Sequence, residues 1–145
     1  MNLLLKTINK FKGLNYRQQI ILKKKNLIVI NDSKSTSFAS SIGMLKNNQN
    51  IYWIIGGIHK KGDKLNLPKK NFKKIKAFVF GKDKKFFNKE LKGKVVYENF
   101  TNLEFALKKI IKLIKKDRYP ERTILFSPSA ASFDSFKNFE ERGLY

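Results

Sequence analysis

Three short stretches hold most of the side chains that could do chemistry in this 145-residue chain. Asn31-Asp32-Ser33-Lys34-Ser35-Thr36 puts an acid, a base and several hydroxyls in a row. Gly56-Gly57-Ile58-His59-Lys60 follows a purely apolar run. Residues 127–143, SPSAASFDSFKNFEERG, crowd small and hydroxylated residues directly after another apolar run. Lysine, arginine and hydroxyl groups hold carboxylates and phosphates, and small residues let a backbone come close to a ligand. The pattern therefore suits the seating of a small anion. His59 is the only histidine and there is no cysteine, so neither a metal cluster nor a nucleophile–histidine triad is expected. A solvated loop is the expected place for His59.

The stretch from Gly57 to Lys64 has the outline of a phosphate loop, but Asp63 stands where the lysine belongs and Lys64 where the hydroxyl belongs. Two readings of Gly56-Gly57 stay open: a structural turn, or close backbone approach to a ligand. Ser33 or Ser35 is expected to cap a helix, and Lys34 there could assist anion binding at the helix N-terminus.

These stretches need elements to position them. Residues 18–23 and 27–31 read as a hairpin joined by polar residues 24–26. Residues 35–45 suit a helix rich in small residues. Residues 51–55 and 77–81 are continuous apolar runs, the mark of strands buried on both faces. Residues 82–91 look helical, residues 95–97 form a short strand, and residues 123–126 a last buried one. The clearest helix is 102–116, with Leu103, Ala106, Leu107, Ile110, Ile111 and Ile114 on one stripe and a capping box of Thr101 and Glu104 at its start. A short helix is expected at residues 3–11, ending at Gly13. Strands alternating with helices predict an α/β, Rossmann-like fold: a mostly parallel sheet with helices on both faces and an N-terminal hairpin. The reactive stretches all follow strands, so they fall at the edge where open α/β sheets bind ligands.

Charge is the loudest feature: 32 Lys and Arg against 11 Asp and Glu, a net +21. A basic surface suggests nucleic acid or an anionic membrane. The lysines, however, spread along the whole chain without a nucleic-acid motif, which favours a lysine-rich composition over a specific nucleic-acid or membrane partner. No stretch is long and apolar enough to span a membrane. The absence of cysteine fits a cytoplasmic location.

Taken in order, INDSKSTS, WIIGGIHKKGD and LFSPSAASFDSFKNFEERG resemble the C-terminal domain of the Mur ligase family, in its D-glutamate-adding branch, the UDP-N-acetylmuramoyl-L-alanine:D-glutamate ligases (MurD) of peptidoglycan synthesis. Phe11-Lys12-Gly13-Leu14-Asn15-Tyr16-Arg17 is similar to the segment that enters that domain, with Asn15-Tyr16 in place of the usual Pro-His. Ile58 stands where some members carry an acid. The resemblance implies that residues 1–16 are a linker from a central domain absent here. Residues 17–145 would be the D-glutamate-binding domain, truncated at its C-terminus. It implies that Thr36 and Lys60 hold the α-carboxylate of D-glutamate, and that Ser132, with backbone near Phe133 and Phe139, holds the side-chain carboxylate. Arg17, Asp32 and Lys34 would reach ATP and its phosphates. Catalytic groups and metal ligands would lie outside the chain. The implied partners are D-glutamate, ATP with Mg2+, UDP-MurNAc-L-alanine and the absent N-terminal and central domains. The piece would be inactive alone. The alternatives are a small basic nucleic-acid-binding protein, or a related amide ligase domain with another amino-acid preference.

Overall fold

The computed structural model describes residues 14–132 and 137–144. The helix expected at residues 3–11 lies outside them. Strand β1 (Gln19–Lys24) pairs antiparallel with β2 (Leu27–Asn31), the expected hairpin. Helix α1 (Phe38–Asn47) leads to β3 (Ile51–Gly56), and a 3-10 turn (Lys69–Lys74) leads to β4 (Ile75–Phe80). Helix α2 (Lys84–Leu91), β5 (Val96–Asn99), helix α3 (Leu103–Lys116) and β6 (Arg122–Phe126) follow, and a short helix α4 (Phe139–Leu144) ends the described chain.

The described strands form one sheet in the order β1-β2-β6-β3-β4-β5. Every pairing except the hairpin is parallel. This is the mostly parallel α/β sheet expected of the sequence. The last described strand inserts between the second and the third, so the chain runs from β2 out to β5 and then comes back to lie beside β2.

Alternation along the strands builds two cores. Ile51, Trp53 and Ile55 of β3 join Ala77 and Val79 of β4 beneath Phe38 and Leu45 of α1 and Phe87 and Leu91 of α2. Tyr52, Ile54, Phe78 and Phe80 point the other way and meet Leu103, Ala106 and Ile110 of α3. With both faces covered, β3 is buried at every residue, which explains its unbroken apolar run.

Local signals place most boundaries within a few residues, and the departures have physical reasons. Helix α1 starts after Ser37, because Ser35 turns its hydroxyl inward to Ser40 and Ser41 instead of capping. Neither Ser33 nor Ser35 is the cap. Helix α3 is capped by Asn102, whose Oδ1 accepts from the Phe105 amide at 3.1 Å, so the expected box of Thr101 and Glu104 is not used. Ile111 belonged to the expected stripe but is 53% exposed. At 100° per residue it lies at the flank of the stripe, and Leu113 packs on the opposite flank. In a urea titration, Ile110→Ala is expected to cost about 2–5 kcal/mol. Ile111→Ala should cost less than about 0.5 kcal/mol.

Candidate functional site

β2, β6 and β3 are parallel neighbours, so the segments leaving their carboxyl ends emerge side by side. Residues 32–37, 127–132 and 57–63 therefore share one rim of the sheet, the edge where such folds bind ligands. The β6 segment is stitched to both neighbours. The Asp32 amide donates to the Phe126 carbonyl at 2.7 Å, and the Gly56 amide to the Pro128 carbonyl at 3.0 Å. Ile58 and Ala131 exchange amide–carbonyl bonds at 3.0 and 2.9 Å. The Phe38 amide donates to Asp63 Oδ2 at 2.8 Å, tying the start of α1 to the β3 segment.

Beneath the rim lies a chain of buried hydroxyls. Ser41 Oγ is 2.6 Å from Ser127 Oγ, 2.6 Å from Ser129 Oγ and 2.7 Å from Ser35 Oγ. The Ser127 hydroxyl donates to Asp32 Oδ2 at 2.8 Å, and the Gln18 amide donates to Asp32 Oδ1 at 3.1 Å. Trp53 Nε1 donates to the Ser127 carbonyl at 2.8 Å. Burial raises the Asp32 pKa above the ordinary carboxylate value, against the lowering pull of the Ser127 and Gln18 bonds and the nearby Arg17 charge. The small residues after β6 thus have two uses: some close the network, while Ala130 and Ala131 admit the β3 segment at close range. Ser41, Ser127 and Ser129 carry this network, and the density of serines was the only signal of it.

The glycine pair serves the turn. Gly56 and Gly57 have φ of 143° and 133°, and a Cβ on Gly56 would stand 1.9 Å from the Phe80 carbonyl oxygen. The Gly56 amide is already spent on Pro128, so it does not cradle a phosphate. His59 lies in a loop, as expected, but it is only partly exposed and is held by neighbours. Its Nδ1 lies 2.7 Å from Asp83 Oδ2, its amide donates to the same oxygen at 2.9 Å, and its ring stacks on Phe86 at 4.1 Å. Those contacts hold Asp83 below the usual carboxylate range and steady the residue next to Lys60.

Thr36 and Lys60 are exposed on the rim, and Ser132 is buried one residue beyond the Ala131 bridge. Phe139 is the first residue of α4, and Phe133 lies outside the described residues. Arg17, Asp32 and Lys34 come together: with Gln18, Ser35 and Ser40 they line a cleft of about 330 Å³. The Lys34 amide donates to the Tyr16 carbonyl at 3.0 Å, fixing the entering segment beside that cleft. The rim therefore presents two cationic regions, one at Arg17 and Lys34 and one at Lys60. Among the described residues, no group of three or more His, Cys, Asp or Glu side chains gathers as a metal site would require.

This arrangement has relatives. The chain is 40% identical over 141 residues to the UDP-N-acetylmuramoylalanine–D-glutamate ligase of Rickettsia felis, covering 97% of this chain and 31% of that protein. It is 38% identical over 136 residues to the ligase of that name from the Wolbachia of Brugia malayi, covering 94% and 27%. Nearly the whole chain is thus homologous to one part of these Mur ligases. It spans about a third or less of the length of these ligases. The MurF ligase of Thermotoga maritima, solved with ADP, has the same fold at 15% identity and a TM-score of 0.51, over 88% of this chain and 32% of that one. No family model matches the chain.

Two outcomes test the geometry of this rim. Gly56→Ala should destabilise by at least about 2 kcal/mol, from backbone strain and overlap with Phe80. Gly62→Ala, at φ 76° with open space around it, should cost only about 1 kcal/mol, read by chemical denaturation. Because the folded pKa of Asp32 is raised, the folded state favours its protonated form. Its contribution to stability is fully present below its unfolded pKa of about 4 and is lost as pH rises through the folded value. The melting temperature of wild type minus that of Asp32→Asn should therefore fall as pH rises from 3 towards neutrality. A difference that grew with pH would contradict this placement of the carboxylate.

Proposed function

We propose that this chain is the D-glutamate-binding domain of the ligase that joins D-glutamate to UDP-MurNAc-L-alanine in peptidoglycan synthesis. The observation that carries the reading is the meeting of three strand-end segments on one rim, in a chain related to D-glutamate ligases along nearly its whole length. Thr36 and Lys60 would take the α-carboxylate of D-glutamate, and Ser132, with backbone near Phe133 and Phe139, the side-chain carboxylate. The lysine would neutralise one carboxylate, hydroxyl and backbone donors would hold the other, and the amine would be left free to point outward. Positioning of that kind supplies much of the rate in an amide-forming step.

The cleft of Arg17, Asp32 and Lys34 has the donor set for phosphate: a planar guanidinium, a lysine and a fixed backbone. Arg17 and Lys34 would reach the phosphates of ATP and Asp32 the nucleotide beside them; ATP, when bound, supplies the phosphoryl group that activates the acceptor carboxylate. The described residues give no ligand set for Mg2+, and none is assigned. The glycine turn holds no triphosphate, so this chain contributes the amino-acid side of the reaction and a cationic edge. The partners of the reading are D-glutamate, ATP, UDP-MurNAc-L-alanine and the N-terminal and central domains, in the cytoplasm.

Calorimetric titration of the chain with D-glutamate should show saturable binding, with L-glutamate weaker. Lys60→Ala should weaken it about tenfold or more, the worth of one charge-assisted bond. Ser132→Ala should weaken it in the same direction. With ATP and UDP-MurNAc-L-alanine, the chain alone should form no ADP. Equal affinity for both enantiomers, or affinity untouched by either substitution, would overturn the reading.

A further inference from the structure

Arg142 is 1% exposed, and among the described residues it is the one buried basic side chain. It sits on α4, and its guanidinium reaches two different segments of the rim. Nη2 donates to the Ser33 carbonyl at 2.6 Å, and Nε to Ser33 Oγ at 3.3 Å. Nη1 donates to the Ala130 carbonyl at 2.9 Å. Ser33 lies between Asp32 and Lys34, three residues before Thr36. Ala130 adjoins the Ala131–Ile58 bridge and precedes Ser132 by two residues. The neighbouring Gly143 completes the joint: its carbonyl accepts from Asn31 Nδ2 at 2.6 Å, and a Cβ there would lie 2.3 Å from the Tyr16 ring.

We propose that Arg142 is a positioning residue, whose buried fork sets the spacing between the segment bearing Thr36 and the segment bearing Ser132, so that both can meet one diacid. Interior charge is costly, and apolar packing would join the same segments with less desolvation. What packing would lack is direction. A planar fork with several fixed N–H vectors holds two carbonyls at one separation and angle, which a lysine cannot do. The cation also lies beneath a rim that receives an anion, adding to the favourable field there. The proposal rests on the D-glutamate reading, which names the ligand.

The test uses the whole chain and two measurements, D-glutamate affinity by calorimetry and amide exchange by NMR. Arg142→Lys should weaken D-glutamate about tenfold or more, as for the loss of a charge-assisted bond. It should also speed exchange at the Ala131 amide, which donates to Ile58, and leave exchange at Ile54 in β3 unchanged. Leu45→Ala, a core truncation far from the rim, should lower the melting temperature without moving the D-glutamate affinity. Ser33→Ala removes the hydroxyl that accepts from Nε and leaves the carbonyl that accepts from Nη2, and should weaken binding roughly threefold. Wild-type affinity in Arg142→Lys would overturn the proposal, as would affinities that follow melting temperature across all variants, Leu45→Ala included. If Arg142→Lys does not melt cooperatively, Ser33→Ala decides, and wild-type affinity there is the overturning result. Absence of D-glutamate binding in the wild type would sink the underlying reading instead. Exchange at Ala131 then judges Arg142 alone, and unchanged protection overturns its role.

Discussion

The rim exists because β6, the last of the described strands in sequence, lies between β2 and β3. Its backbone pairs with both neighbours, and the segment after it keeps bonding to both once the ladder has ended. Asp32 accepts from Ser127, Ser127 contacts Ser41, and Ser41 contacts Ser129 and Ser35. A buried carboxylate without such donors would be heavily penalised, so the network and the strand order sustain each other. Removing the insertion of β6 would leave Asp32 buried without its hydroxyl partner and the β3 turn without its stitch.

That arrangement divides the site into a fixed interior and an exposed working surface. Ser33, Ser35, Ser127, Ser129 and Ser132 are buried, while Arg17, Lys34, Thr36 and Lys60 face solvent. Ser35, Ser127 and Ser129 bond to other hydroxyls, to Asp32 or to backbone, and Ser33 to Arg142, so their geometry is set before any ligand arrives. The exposed cations are long and adaptable, as groups that meet a diffusing anion should be. Preorganisation below and reach above is the economical way to hold a small charged molecule, because ordering entropy is spent in folding rather than in binding.

How much of this was legible in the sequence depended on the range of the interaction involved. The apolar run of β3 and the stripe of α3 are local patterns, and both elements formed where the patterns put them. The rim itself was legible too, since strand-end segments in an α/β sheet fall on one edge wherever the strands lie. Errors arose where a distant partner decided. Ser35 is a good cap by type, but Ser41 draws its hydroxyl inward. His59 is in the loop that the sequence indicated, but its bond to Asp83, which follows another strand, had no local signal. Arg142 stood in a charged string, where exposure is the usual fate of an arginine, and nothing local announced its burial. Thr101 and Asn102 are both competent caps, and a one-residue choice between them lies beneath what local propensity resolves.

The surplus of positive charge belongs in the same physical account. Few acids face the lysines of α3: Glu104 pairs with Lys108 and Glu98 with Lys109, both in solvent, where such pairs contribute little. The remaining field is long-ranged and unspecific, drawing any anion towards the molecule with a strength that falls as salt rises. A diffuse field of this kind raises the frequency of encounter but selects nothing. Selection needs groups whose directions are fixed, and in this molecule fixed directions are found in the bridge of Ile58 and Ala131 and in the Arg142 fork that joins Ala130 to Ser33. The net charge and the rim thus act in sequence, one on approach and the other on fit, and only the second depends on the fold.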